Sequence, residues 1–123
     1  EKFGVEIGAL AYDPWNARSS VQKWEALADP IQCVEVKQHS AILHPATKLL
    51  KEKIMQGKFA YYPNLLLENN FSNARCTEDT NLNKYVNKKR SAGKVDMVVA
   101  TINAVYLLIQ YEMITRHVGV MVL

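Results

Sequence analysis

Val98, Val99, Ile102, Val105, Tyr106 and Ile109 recur at the spacing of a single face of an α-helix. A helix with so continuous an apolar stripe has to pack against a core, which limits the folds open to the chain. At its head, in Lys94-Val95-Asp96-Met97-Val98-Val99-Ala100, a lone acid stands where a basic loop gives way to an uncharged helix. Unpaired backbone N–H groups and the positive end of the helix dipole favour an anion there. Asp96 therefore reads either as a simple helix cap or as a ligand for a metal or a structural partner.

The 123 residues are enough for one domain or part of one, and 49% of them are hydrophobic, as a buried core requires. No run reaches the roughly 18 uninterrupted apolar residues of a membrane span, and the start lacks a signal-peptide layout. A cytoplasmic chain without membrane partners is expected. Cys33 and Cys76 are too few for a disulfide framework or a thiolate zinc site, and read as buried or incidental thiols. The net charge of +3 is modest, but Lys84, Lys88, Lys89, Arg90 and Lys94 crowd into one stretch before Asp96. That makes a local basic patch.

Phe3 to Tyr12 alternates like a strand, and without a leading Met the chain is expected to be the interior of a longer protein. Asp13-Pro14 ends that strand. Ser19 or Ser20 is expected to cap the next helix, with Gln22 completing a capping box from Ser19 and Val21, Trp24, Leu27 and Ala28 forming its buried stripe. Ile31 to Val36 is short and β-branched, and strand-helix-strand order predicts a right-handed parallel crossover. Pro45 is expected at the first position of a second helix that ends at Gly57, a C′ residue. Phe59 to Tyr62 reads as a short strand and Asn64 to Phe71 as a helical turn or two. Ser72 to Gly93 reads as a long polar loop, and Val118 to Leu123 as an added strand or packed extension.

Asp13 lies at the C-terminal end of a predicted parallel strand, the edge where open α/β sheets gather ligands. The competing reading is a turn aspartate that bonds the backbone after Pro14. His39 and His44, flanking the loop after the second strand, read as caps or surface groups that could otherwise touch a phosphate or metal, and His117 has no evident partner. Asn81, Asn83, Tyr85 and Asn87 interleave with the basic patch, offering hydrogen-bonding groups beside phosphate-binding charge; a solvated loop is the alternative. Trp15 and Trp24 are assigned to the core.

Taken in order, Tyr12-Asp13-Pro14-Trp15-Asn16-Ala17, His44-Pro45, Asn73, and Lys94 to Ala100 with Ala104 resemble the C-terminal half of the nuclease domain of tailed-bacteriophage terminase large subunits. The resemblance runs from about Gly4 to Leu108. It implies an α/β chain forming the C-terminal part of a ribonuclease-H-like fold, a partly parallel sheet flanked by helices, within a DNA-packaging protein of the host cytoplasm. It further implies an endonuclease that cuts concatemeric viral DNA, with Asp13 and Asp96 as two of three metal-binding acids and Mg2+ or Mn2+ as the metal; the adjacency of Lys84, Lys88, Lys89, Arg90 and Lys94 to Asp96 then favours their contact with double-stranded DNA, since a nuclease must hold a polyanion against its metals. Two hard cations roughly 4 Å apart suit in-line phosphodiester attack, and carboxylates are the side chains that hold them. The small subunit and the portal are the further partners that the resemblance implies for the intact protein.

The chain also departs from that family pattern. The first acid belongs to a strand upstream of Glu1, and no Gly-rich Walker A sequence is present. Glu6 and Glu35 are the conceivable substitutes, although strand glutamates usually face solvent. Residues 1–123 are thus expected to be a partial nuclease domain that lacks its leading strands and the ATPase motor. Such a piece would be weakly active or inactive alone and prone to self-association. Another ribonuclease-H-like nuclease of resolvase or transposase type, and a non-catalytic DNA-binding or capsid-docking module, are the alternatives.

Overall fold

Parallel strands cannot be joined by a tight turn, so a pair of them needs an intervening crossover. The first unit of the chain supplies one. Strand β1 (Leu10–Tyr12) pairs in parallel with β2 (Cys33–Glu35), Leu10 opposite Cys33 and Tyr12 opposite Glu35, with helix α1 (Arg18–Glu25) between them in sequence. Leu10 N–H to the Gln32 carbonyl (2.8 Å) and Val36 N–H to the Tyr12 carbonyl (2.9 Å) extend the ladder at both ends. The computed structural model describes residues 4, 7–15, 17–27 and 30–122, with side chains through 112. It divides into two units, residues 1–38 and 39–123.

Within the first unit the parallel pairing is as expected, but the elements are shorter. β1 occupies only the end of the expected Phe3 to Tyr12 strand, and Phe3, Val5 and Glu6 lie outside the described residues. Helix α1 begins earlier than a serine cap would allow. Val21 N–H already bonds the Ala17 carbonyl at 2.9 Å, so Ala17 is the N-cap, it makes no side-chain cap bond, and Ser19 and Ser20 sit inside the helix. Val21 is buried, Trp24 is half-buried and Leu27 is exposed; Ala28 lies outside the described residues. Trp15 is not a core residue: it is 88% exposed, because the turn after Pro14 fixes its backbone and turns its ring outward.

The second unit holds helix α2 (Ser40–Met55), helix α3 (Leu65–Asn73), an antiparallel hairpin of β3 (Cys76–Glu78) and β4 (Lys84–Val86), and the long helix α4 (Asp96–Val122). Ala46 and Leu50 of α2 meet Val95, Val98 and Ile102, and Leu43, Phe59, Phe71, Ala74, Val86, Val105, Tyr106 and Ile109 close around them. The apolar stripe that predicted α4 thus faces the core. Phe59 is coil rather than strand, held by its ring contact with Phe71 at 5.8 Å.

Helix α2 starts before Pro45. The N-cap is His39, whose Nδ1 accepts from Ala41 N–H at 3.2 Å, and Pro45 falls inside the helix, where it leaves the Ala41 carbonyl without its usual donor. The other end is as expected. Gly57 has φ +68°, Lys58 N–H reaches the Lys53 carbonyl and Gly57 N–H the Ile54 carbonyl, which is the paired bonding of a Schellman motif.

The expected long loop contains the hairpin. Its turn is tied by Asp79, whose Oδ1 accepts from the N–H groups of Asn81 and Asn83, both at 2.9 Å. Leu82 adopts φ 63° within that turn. The tail is a continuation of α4 to Val122 rather than a strand, and the helix runs through Gly119; Leu123 lies outside the described residues. Among the described residues no helix is long and apolar enough to cross a membrane.

Candidate metal and nucleic-acid site

Asp96 is the first residue of α4, and it is not the helix cap. The first intrahelical bond runs from Val99 N–H to the Val95 carbonyl at 3.1 Å, so Val95 stands at the cap position with no side-chain oxygen to offer. The oxygen comes from another helix: Asn70 Oδ1, on α3, accepts from Met97 N–H at 3.1 Å. Asn70 is 4% exposed, and its Nδ2 donates back to the Leu66 carbonyl at 2.9 Å, so both ends of the buried amide are bonded. One helical turn on, Asn73 Nδ2 donates to the Lys94 carbonyl at 3.1 Å. The Asp96 side chain is left 71% exposed, with Lys88 Nζ at 3.8 Å from its Oδ1.

The basic stretch is a folded turn and not a slack loop. Asn87 N–H bonds the Arg75 carbonyl at 2.8 Å, and Asn87 Oδ1 accepts from the N–H groups of Lys89 (3.1 Å) and Arg90 (3.2 Å). Ser91 Oγ donates to the Asn87 carbonyl at 2.7 Å and accepts from Arg75 N–H at 3.1 Å. Lys88, Lys89, Arg90 and Lys94 are exposed, whereas Lys84 is half-buried on β4. Two of the asparagines interleaved with the patch have roles in the fold. Asn87 organises the turn, and Asn83 gives both its N–H and its side-chain amide to Asp79.

Asp13 directly follows β1, at the C-terminal end of a parallel strand as expected. Its Oδ1 accepts from Trp15 N–H at 3.0 Å, so the turn bond that Pro14 suggested is present. Asp13 and Asp96 belong to different units. Among the described residues no three His, Cys, Asp or Glu side chains gather around one point. Glu35 is exposed at the end of β2, and Glu6 and the side chain of His117 lie outside the described residues.

The remaining candidates have structural duties. His44 Nδ1 accepts from Lys84 N–H at 2.7 Å, which joins α2 to the hairpin, and His39 caps α2. Ser40 Oγ donates to Asp79 Oδ2; this bond, reinforced by those from Asn83 and Asn81, holds the Asp79 carboxyl at about 2. Cys33 and Cys76 are free thiols; Cys33 is half-buried and Cys76 is exposed.

Compared with models of known families, residues 2–112 match the terminase large subunit, endonuclease domain. The chain belongs to this family. Its fold is that of the terminase nuclease: the crystal structure of the HK97 bacteriophage large terminase superposes with a TM-score of 0.74 at 22% sequence identity, over 83% of this chain. The chain spans about one fifth of that protein's length, 21%. No curated protein matches it. In this terminase nuclease chain Asn70 escaped sequence reasoning, because a cap borrowed from a residue 27 positions away leaves no local signature. Asn73 entered only through the resemblance, and its bond to Lys94 supplies a physical reason for it.

Proposed function

We propose that the chain forms part of a metal-dependent endonuclease that cuts concatemeric viral DNA during genome packaging, in a ribonuclease-H-like domain whose third acid lies outside residues 1–123. The family match carries this reading, and it gains support from an exposed carboxylate, Asp96, on a backbone fixed on both sides of it and next to a basic turn. The donor chemistry fits the group implied. Mg2+ or Mn2+ takes carboxylate oxygens, and Mg2+ in particular keeps several waters and binds through one or two carboxylates plus substrate phosphate rather than through a closed protein cage. Asp13 and Asp96 are the residues that would hold it.

A divalent cation bound there supplies the positive charge that stabilises a phosphodiester under attack by water. The protein's own share is placement. Asp96 presents a fixed anchor, while Lys88, Lys89, Arg90 and Lys94 set counter-charge against the DNA backbone, which orients the duplex without reading its sequence. Lys84 is the weakest member of this set, being half-buried. The proposed partners are double-stranded DNA and, in the intact protein, the terminase small subunit and the portal, in the host cytoplasm.

The test is Asp13→Asn and Asp96→Asn in the intact protein, assayed for nicking of supercoiled plasmid with Mg2+ or Mn2+. Both variants should lose cleavage and keep their fold and any ATP hydrolysis, since charge is removed without volume. The Asp13–Trp15 bond favours a second reading for Asp13 alone, a structural turn; it predicts lower stability and parental nicking in that variant.

A further inference from the structure

Asp96 sits on a segment restrained at four points. Asn73 Nδ2 holds the carbonyl of Lys94, Asn70 Oδ1 holds the N–H of Met97, and the side chains of Val95 and Val98 are each 3% exposed in the core. The two asparagines lie three apart on α3 and so share one face of that helix. A third residue belongs to the arrangement. A Cβ on Gly93 would lie 2.8 Å from Asn73 Nδ2, so any side chain there pushes the amide off the Lys94 carbonyl.

We infer that Asn70 and Asn73 are positioning residues for the Asp96 carboxylate, an inference that rests on reading Asp96 as a metal-binding acid. The side chain at the N-cap ordinarily bonds an N–H of the helix's first turn, and Val95 at that position has no oxygen to offer. Here Asn70 takes that task, and the Asp96 side chain, 71% exposed, stands on a backbone bonded on both sides of it. Groups that orient a metal-binding side chain without touching the ion typically account for about 10- to 100-fold in affinity.

The two asparagines work through opposite chemistries, and this separates positioning from charge. Towards Asp96, Asn70 serves as an acceptor, so Asn70→Asp retains the bond to Met97 N–H and gives up only the one to the Leu66 carbonyl within α3. Asn73 serves as a donor, so Asn73→Asp sets a carboxylate against the Lys94 carbonyl and destroys its bond. Both variants place a carboxyl near Asp96, and wherever it ionises a purely electrostatic effect would tighten cation binding.

The experiment is Mn2+ titration of the intact, nucleotide-free protein, followed by water-proton relaxation, with His44→Ala as a control that disturbs the same unit elsewhere. Asn70→Ala, Asn73→Ala and Asn73→Asp should each weaken Mn2+ by about tenfold, while Asn70→Asp and His44→Ala stay near the parent. Parental affinity in both alanine variants, or equal tightening in the two aspartate variants, overturns the inference. Asp96→Asn tells this failure from failure of the underlying reading: if it binds Mn2+ like the parent, Asp96 is no metal ligand and the inference falls with it.

Discussion

Lys88 Nζ lies 3.8 Å from Asp96 Oδ1, so the basic turn and the acid at the head of α4 are electrostatically joined. Both side chains are largely exposed, at 60% and 71%, which makes the pair a weak one, worth about 0–1 kcal/mol. The same carboxylate cannot serve an ammonium and a divalent cation equally well. Lys88→Ala should therefore tighten Mn2+ binding by up to about fivefold, the ratio that a pair of this strength permits. It should also lower the slope of log DNA affinity against log salt by about 0.9, if Lys88 meets a phosphate. Unchanged Mn2+ affinity would show that the ion pair does not compete with the metal.

Replacing Lys88, Lys89 and Arg90 together by Ala should flatten that salt slope by about three units and weaken binding to all DNA sequences alike. Asn87 holds the backbone of this turn, so the triple variant removes charge without unfolding it. A slope equal to the parent's means that the turn does not contact DNA.

Asp79 gives the hairpin a defined acid sensitivity. Its carboxyl titrates at about 2 in the folded chain, chiefly because Ser40 donates to it, against an ordinary value of 3.8. A depressed carboxyl stabilises the fold fully above its unfolded value, and the gain fades as pH falls from about 3.8 towards 2. Asp79→Asn should accordingly lower Tm near neutrality, by a margin that narrows towards the acid end of that window. A gap between the two proteins that does not narrow with acid would refute the linkage.

His44→Ala strips the half-buried Lys84 N–H of its acceptor and should cost about 1–3 kcal/mol. His44→Asn, with an oxygen at nearly the same place, should recover part of it. Amide exchange at Lys84 is the direct measure, faster in the alanine variant and intermediate in the asparagine one.

Leu82 holds φ 63° and is 70% exposed, so its side chain gains little burial to offset a left-handed backbone. Leu82→Asn should stabilise the hairpin by about 1 kcal/mol, since asparagine tolerates that region far better. A fall in Tm would mean that the leucine makes an apolar contact worth more than the backbone strain.

Where the sequence carries a period, the fold was readable from it. The stripe from Val98 to Ile109 announced α4, and the β-branched run at Ile31 to Val36 announced the parallel partner of β1. Misreadings came where side chains rather than periodicity set the structure. Pro45 imitated a helix start, while the true cap was the imidazole of His39, a residue type with no strong capping bias. Cys76-Thr77-Glu78 and Lys84-Tyr85-Val86 are too short to show alternation, and they form strands because Asp79 ties the turn between them and His44 fastens β4 to α2. Within the site Asp96 stood out by charge contrast. The amides that fix it did not, because their partners are backbone groups distant in sequence.

Because the N–H of Met97 is satisfied by α3 and not from within its own segment, the head of α4 depends on another helix for its cap. Docking of α3 thus stabilises the first turn of the long helix, and the two should lose protection together when they part. Undocking of α3 would therefore fray the head of α4 and loosen the acid with it. Exchange of the Met97 amide would time that event directly.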